Sequence, residues 1–185
     1  MIAVGLDPSL ACTGIAIIEG GEVTTTRRVI SANQGTTLEA RRGRLRKAIS
    51  GVLVVIPARV DVTVIEVPHS RQQFGAQNER VALYWWLVDQ LLARGPVVEV
   101  APSARAKLAT GNGRASKDDV VAAMTAAYPD ARIPDDNVAD ALALAAAGAH
   151  WLGDAAAFYT PAHLQAHAKL AWPIRPTQKA GSASW

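Results

Sequence analysis

The chain has 185 residues and half of them are hydrophobic, which allows one domain with a buried core and a short tail. No apolar stretch is long and uncharged enough to span a bilayer, and no basic segment precedes the first apolar run, so we expect neither a membrane segment nor a signal peptide. Cys12 is the single cysteine, which excludes an internal disulfide and favours a cytoplasmic protein, and the net charge of +3 is mildly basic.

Apolar patterning predicts five strands and five helices along the chain. The predicted strands are residues 2–7, 13–19, 22–30, 60–66 and 97–100, and the predicted helices are residues 36–56, 79–93, 103–110, 117–128 and 137–152. Short turns join the first three strands into an antiparallel meander, and the later alternation of strands with helices predicts an α/β fold with a mixed sheet flanked by helices.

The end of the chain has a different composition from the rest. Residues 154–185 contain three prolines and a Gly-Ser-Ala-Ser run. We therefore predict one domain over residues 1–153 and a weakly structured tail over residues 154–185, with at most a short helix at 162–170. His163 and His167 are four residues apart but lack the glutamate of a zinc-protease motif, so they are predicted to lie on the surface.

Basic residues are concentrated in two groups that could contact phosphates. The first group comprises Arg27, Arg28, Arg41, Arg42, Arg44, Arg46 and Lys47, and the second comprises Arg105, Lys107, Arg114 and Lys117. Lys107 and Lys117 flank a glycine-rich loop, and Lys117 begins a predicted helix, where anions are favoured. Charge alone leaves open whether these groups bind nucleic acid or form solvated helix faces.

Three predicted elements each bring an acidic residue into apolar surroundings. Asp7 ends the first strand on the face of Ala3 and Gly5, Glu66 ends the fourth strand, and Asp140 lies inside the alanine-rich last helix. Clustered carboxylates need a compensating cation, and hard divalent ions prefer oxygen ligands. The acids therefore predict a divalent-metal site suited to phosphodiester cleavage. Asp7 could instead cap a turn and Glu66 could be an exposed strand end, whereas Asp140 lies beyond the helix cap.

Asp136 and Asn137 lie within one turn of Asp140 on the same side of the last helix. The carboxylate of Asp136 or the amide oxygen of Asn137 could reach a metal ion held by Asp140. Asp135 and Asp136 could alternatively serve as the N-cap of this helix.

Four stretches of the chain resemble the RuvC family of crossover-junction endonucleases, within the ribonuclease H-like fold. They are GLDPSLACTGIAI, VIEVP, KLATGNGRASKDDVV and DDNVADALALA, in the family's order over about residues 1–152. The resemblance implies a ribonuclease H-like mixed five-stranded sheet and a metal-dependent, structure-selective endodeoxyribonuclease. It also implies two Mg²⁺ or Mn²⁺ ions per active site, branched DNA such as a Holliday junction as substrate, and a homodimer.

The resemblance also implies roles for individual residues. The expected catalytic residues are Asp7, Glu66, Asp140, Lys117 and Lys107, and the expected metal ligands are Asp7, Glu66, Asp140, Asn137 and Asp136. The family usually has a fourth acid where this chain has Asn137, so we expect Asn137, in the family's position, to be the ligand in preference to Asp136. The expected DNA contacts are Arg105, Lys107, Arg114, Lys117, His69 and Phe74, the last two as candidates for an aromatic that enters the junction.

The predicted helix over residues 79–93 is apolar around more than one face. It carries Leu83, Tyr84, Trp85, Trp86 and Leu87 in succession. This pattern is typical of a dimer interface, as the resemblance implies, or of a helix deep in the core.

Other functions are compatible with parts of the sequence. A sugar-kinase-like ATPase needs a duplicated domain, and GNGRASK lacks the spacing of a phosphate-binding P-loop. A ribonuclease H-like nuclease that cuts RNA–DNA hybrids or flaps would share the acids. A non-catalytic junction-binding module is also left open, with Asn137 as the mark of a decayed site.

Overall fold

A computed structural model describes residues 1–32, 35–68 and 76–174 of the chain. The strands are β1 (Ile2–Asp7), β2 (Cys12–Glu19), β3 (Glu22–Ile30), β4 (Val62–Glu66) and β5 (Val97–Val100). The helices are α1 (Leu38–Val55), α2 (Gln77–Leu92), α3 (Pro102–Thr110), α4 (Lys117–Ala127), α5 (Asp136–Leu152) and α6 (Pro161–His167). None of the helices in these described ranges is both long and apolar enough to cross a membrane.

The five strands form one mixed sheet in the order β3-β2-β1-β4-β5, which confirms the predicted fold class. β1, β2 and β3 are an antiparallel meander, whereas β4 is parallel to both β1 and β5. In the register between β1 and β4, Leu6 lies opposite Ile65. The residues that follow them, Asp7 and Glu66, therefore end neighbouring strands at the same edge of the sheet.

Helices cover both faces of the sheet because successive strand residues point to opposite sides. Val4 and Leu6 of β1 pack with α1 and α2 on one face. Ala3 of β1 packs on the other face, where α5 lies in the middle with α3, α4 and α6 around it. Asp7 belongs to this second face, so its side chain and those of α5 lie on the same side of the sheet.

Two glycines allow α5 to lie directly on the sheet. A Cβ atom on Gly5 would be 1.9 Å from the carbonyl oxygen of Ala141, and one on Gly14 would be 2.0 Å from that of Asn137. Both distances are far shorter than any real contact of a Cβ atom, so no side chain fits at either position. The resulting backbone-to-backbone contact sets the first turns of α5 over the carboxyl end of β1 and brings Asp140 to the same edge as Asp7.

Asp135 caps the N-terminus of α5. Its side chain accepts a hydrogen bond from the backbone N–H of Val138 at 3.1 Å, and Asp136 is the first residue of the helix. The alternative that Asp136 serves as the cap is therefore wrong, and the carboxylate of Asp136 is available for other contacts.

The described part of the C-terminal segment packs against the domain, which differs from the weakly structured tail expected after residue 153. The ring of Trp172 stacks on that of Trp151 with centroids 5.5 Å apart and planes 8° from parallel. Its indole N–H donates to the carbonyl oxygen of His167 at 2.8 Å. Aromatic burial of this kind outweighs the flexibility that the prolines suggested, and Pro161 in fact begins α6, where proline favours a helix.

His163 and His167 are not surface residues, so that prediction is wrong. His163 is 5% exposed and its Nδ1 accepts a hydrogen bond from the backbone N–H of Thr160 at 3.1 Å. His167 is half-buried, with its Nε2 3.1 Å from the carbonyl oxygen of Ala147 in α5. His167 thus connects α6 to α5, whereas His163 forms part of the cap at the start of α6.

Candidate active site

The three acids that the sequence singled out meet at one edge of the sheet. Asp7 and Glu66 end β1 and β4, and Asp140 lies one turn into α5. The negative charges of Glu66 and Asp140 both act on Asp7, and the side chain of Asp140 is only 5% exposed. The sequence had predicted an acid in apolar surroundings at each of these three places, two at strand ends and one inside the last long helix.

Arg105 joins two of these acids. Its Nε donates to Oε2 of Glu66 at 2.8 Å, and its Nη1 lies 2.6 Å from Oδ1 of Asp140, at an angle that is not that of a hydrogen bond. The side chain of Arg105 is 11% exposed. Burial by itself would lower the Arg105 pKa, but the charges of Glu66 and Asp140 outweigh it and raise that pKa. The guanidinium is therefore a fixed positive charge inside the carboxylate cluster.

The sequence analysis expected Arg105 to contact DNA, whereas in the structure its guanidinium contacts Glu66 and Asp140. A contact with DNA stays a prediction, and it would require the Arg105 side chain to leave these acids. The sequence predicted a helix after the fifth strand, but helical spacing does not tell which neighbouring side chain a long arginine will reach.

Burial and mutual repulsion make the acids difficult to ionise together. Burial, with the negative charges of Glu66 and Asp140, raises the pKa of Asp7 to about 8. Burial also raises the pKa of Asp140 to about 7. The positive charge of Arg105 acts to lower this pKa, and the negative charge of Glu66 acts to raise it further. At neutral pH the cluster without a metal ion therefore holds protons that a divalent cation would release.

Asp136 and Lys117 form an ion pair beside the cluster. The hydrogen bond from Lys117 lowers the pKa of Asp136, whereas the negative charge of Asp136 acts to raise the pKa values of Asp7 and Asp140. The side chain of Lys117 is 73% exposed. The backbone at Lys117 is held in place because Ser116 and Asp119 form a reciprocal cap at the start of α4. The exposed side chain of Lys117 can thus contact Asp136 on one side and a phosphate group of a ligand on the other.

The choice between Asn137 and Asp136 as the fourth ligand stays a prediction. The amide nitrogen of Asn137 is 3.5 Å from Oδ1 of Asp136, so the two side chains lie next to each other. Asp136 is not used as a helix cap and its charge acts on the cluster, which removes one reason for preferring Asn137.

The remaining predicted site residues have different surroundings. Nζ of Lys107 donates to Oε1 of Gln165 in α6 at 2.8 Å, so it is directed to the C-terminal segment and forms no ion pair with the acids in the described ranges. Arg114 is exposed on the loop between α3 and α4. His69 and Phe74 lie outside the described residues.

The donor chemistry of the cluster fits a hard divalent ion, which Asp7, Glu66 and Asp140 would hold with Asn137 or Asp136 as the fourth ligand. Within the described ranges, no three His, Cys, Asp or Glu side chains are arranged as a set of metal ligands. In this structure Glu66 and Asp140 contact the guanidinium of Arg105 instead.

A five-stranded mixed sheet of this order, with acids at the carboxyl ends of two parallel strands and on the helix that faces them, defines a ribonuclease H-like nuclease. Residues 3–148 match the family described as crossover junction endodeoxyribonuclease RuvC. The chain belongs to this family, whose members are structure-selective, metal-dependent endonucleases. The resemblance seen in the sequence is thereby confirmed.

Relatives and solved structures agree with this assignment. The chain is 32% identical to the RuvC of Rhodospirillum rubrum over 161 residues, covering 82% of this chain and 90% of the relative. It is 30% identical to that of Sphingopyxis alaskensis over 154 residues, covering 78% and 94%. The fold is similar to Thermus thermophilus RuvC, with a TM-score of 0.60, 22% identity, and coverage of 83% of this chain and 97% of that one. The same Thermus protein in complex with a Holliday junction substrate gives a TM-score of 0.54, 24% identity, and coverage of 78% and 90%.

Proposed function

We propose that this chain is an endonuclease that nicks four-way DNA junctions by hydrolysing a phosphodiester bond at the carboxylate cluster. The observation that carries the proposal is the convergence of Asp7, Glu66 and Asp140 from β1, β4 and α5. Family membership supports the reaction class, and the relatives named as crossover junction endodeoxyribonucleases support branched DNA as the substrate.

Water is the proposed nucleophile. In the described ranges, no serine or tyrosine hydroxyl and no cysteine thiol forms a hydrogen bond with Asp7, Glu66 or Asp140. Attack by water on phosphorus forms one P–O bond and breaks the bond to the 3′ oxygen, which leaves 5′-phosphate and 3′-hydroxyl ends. Two Mg²⁺ or Mn²⁺ ions held by the acids would activate the water and stabilise the leaving oxygen. Lys117 is the proposed contact to the phosphate, and its exposed side chain beside Asp136 supports this role.

We also propose that the protein is a homodimer. Leu83, Tyr84 and Leu87 of α2 are buried in the core, so one face of this helix is accounted for within the chain. Trp85 and Trp86 of the same helix are 60% and 44% exposed. A second copy would cover these exposed indoles and would place two active sites on the two sides of one junction. Because the proposed substrate is cellular DNA, we expect the protein in the cytoplasm, associated with the nucleoid.

A cleavage assay over several substrates tests the proposed function. Four-way, three-way, flap and RNA–DNA hybrid substrates are incubated with Mg²⁺, with Mn²⁺ or with a chelator. We expect nicks in the four-way junction that require the metal and are abolished in Asp7→Asn, whereas the exposed Asp130→Asn control cuts as the wild type does. Preference for the hybrid or the flap would indicate the alternative nuclease. Junction binding without metal-dependent cleavage would indicate a non-catalytic binding module.

A further inference from the structure

Arg105 bridges Glu66 and Asp140. The two acids come from β4 and α5, and the guanidinium reaches them from a third element, α3. Its nitrogens are 2.8 Å from Oε2 of Glu66 and 2.6 Å from Oδ1 of Asp140. The contact is almost closed to solvent, with side-chain exposures of 11% for Arg105, 14% for Glu66 and 5% for Asp140.

We propose that Arg105 is a resident counter-ion of the metal-free site and that a divalent ion bound between Glu66 and Asp140 displaces it. The inference rests on the proposed function, because the displacing ion is the metal of the proposed nuclease. It assigns to Arg105 a role in metal loading that is distinct from contact with DNA.

The argument for displacement is one of shared atoms and charge. Arg105 now holds one oxygen of each carboxylate, and a hard ion between Glu66 and Asp140 needs oxygens of the same pair. A guanidinium and a divalent ion are both positive, so they repel strongly when both lie against the same two oxygens in a buried place. Arginine keeps its charge at all relevant pH values, so it cannot yield its position by losing a proton. The side chain must therefore move for the ion to bind between these acids.

The argument for a counter-ion in the absence of metal is the cost of burying like charges. Asp140 is 3% exposed and Asp7 lies in the same cluster, so without Arg105 the exposed Lys117 is the cation left, among the described residues, to oppose the charge of Asp140. An unpaired buried charge is strongly destabilising. Arg105 thus keeps the acids together until a metal ion arrives, and its ion pairs weaken the apparent affinity for that ion.

Metal binding to the full-length protein tests the proposal without reference to cleavage. Mn²⁺ affinity is measured by calorimetry for the wild type, Arg105→Gln and Arg105→Lys. We expect Arg105→Gln to bind Mn²⁺ at least tenfold more tightly than the wild type, because no competing cation remains. Arg105→Lys should lie between them, since an ammonium keeps the charge but loses the planar fork.

Arg28→Gln is the matched control for these variants. Arg28 forms an ion pair with Asp135 at 3.0 Å, one residue before Asp136, and its side chain is 42% exposed. The Arg28→Gln substitution removes one positive charge near α5 but outside the carboxylate cluster. The Mn²⁺ affinity of this variant should therefore stay within about twofold of the wild type.

Thermal unfolding supplies a second measurement on the same proteins. In a chelator, Arg105→Gln should unfold at a lower temperature than the wild type because its acids lack their counter-ion. Saturating Mn²⁺ should raise the unfolding temperature of Arg105→Gln by more than it raises that of the wild type. If Arg105→Gln does not fold without metal, the comparison of Arg105→Lys with the wild type still decides the direction of the affinity change.

The NMR signal of the Arg105 Nε–H group reports the movement directly. The signal, assigned by its loss in Arg105→Lys, should move to the position of a solvent-exposed arginine as Mg²⁺ is added. A signal that does not move, together with unchanged or weaker Mn²⁺ binding in Arg105→Gln, would mean that Arg105 stays in place, and the inference would be rejected. If such a wild type still cuts junctions, the proposed function survives. A wild type that neither binds Mn²⁺ nor cleaves would overturn both.

Discussion

The substitution Asp7→Asn should stabilise the metal-free protein at alkaline pH. The pKa of Asp7 rises from its ordinary value of 3.8 to about 8 because the carboxyl group is buried beside Glu66 and Asp140. The folded state therefore binds a proton more tightly than the unfolded state does. Between pH 4 and pH 8 this proton favours folding less and less, so stability falls as pH rises and the loss is complete above pH 8.

The size of the effect follows from the same values. At about 1.4 kcal/mol per pH unit, the rise from 3.8 to about 8 corresponds to at most about 6 kcal/mol. Water entry and small movements of the acids reduce this, since buried charges behave as if in a medium of intermediate dielectric constant. We expect Asp7→Asn to be more stable than the wild type by roughly 3 kcal/mol at pH 8, with the difference vanishing near pH 4.

Urea unfolding in a chelator, from pH 5 to pH 9, measures this difference. The difference between the two proteins isolates Asp7, because all other groups titrate in both. Asp130→Asn, at an exposed position, serves as the control and should show no such pH dependence. Added Mg²⁺ should stabilise the wild type at pH 8 more than it stabilises Asp7→Asn. If the difference in the free energy of unfolding between the wild type and Asp7→Asn is the same at pH 5 and pH 8, the pKa of Asp7 is not raised and the reasoning is refuted.

Four further changes have defined outcomes. Lys117→Ala should slow junction cleavage by roughly tenfold to a hundredfold in a single-turnover assay, because it removes a positive charge at the phosphate; an unchanged rate would make Lys117 an ordinary surface residue. Asn137→Ala should raise the Mg²⁺ concentration needed for half-maximal cleavage by about tenfold, as expected for loss of an oxygen ligand, and more than Asp136→Ala does; the reverse order would assign the ligand to Asp136. Trp172→Ala should lower the free energy of unfolding by roughly 1–2 kcal/mol, since a half-buried ring that stacks on α5 is lost; unchanged stability would mean that the C-terminal segment does not hold the domain. Trp85→Ser should shift light scattering from dimer to monomer if its exposed indole is part of the interface; a wild type that is already monomeric at micromolar concentration would contradict the proposed dimer.

The sequence was sufficient for the frame of the site because that frame follows from backbone periodicity. Asp7 shares a face with Gly5 through strand alternation, and Glu66 ends the parallel strand beside it. The α/β order of elements then leaves one helix, α5, to bring Asp140 to the same edge. None of these positions depends on the conformation of a long side chain.

What the sequence did not show depends on side-chain direction and on packing between distant elements. The lysine and arginine of α3 looked equivalent by charge, yet Arg105 reaches the acids and Lys107 reaches Gln165. His163 follows Pro161 in a short helix, and its burial depends partly on Gly111 at the end of the distant α3, which no local pattern brings next to it. Composition indicates the conformation that a segment adopts by itself, whereas these contacts depend on packing against elements that are distant in the sequence.

The parallel pairing of β1 with β4, and the direct contact of α5 with β1, also bear on how the chain folds. β1 precedes the other described elements, and besides β2 its partners are the fourth strand and the last long helix, so these contacts close long loops. Asp7 and Asp140 cannot meet before α5 has docked on Gly5. A nascent or partly folded chain therefore carries the acids without bringing them together, so the proposed nuclease activity would require completed folding.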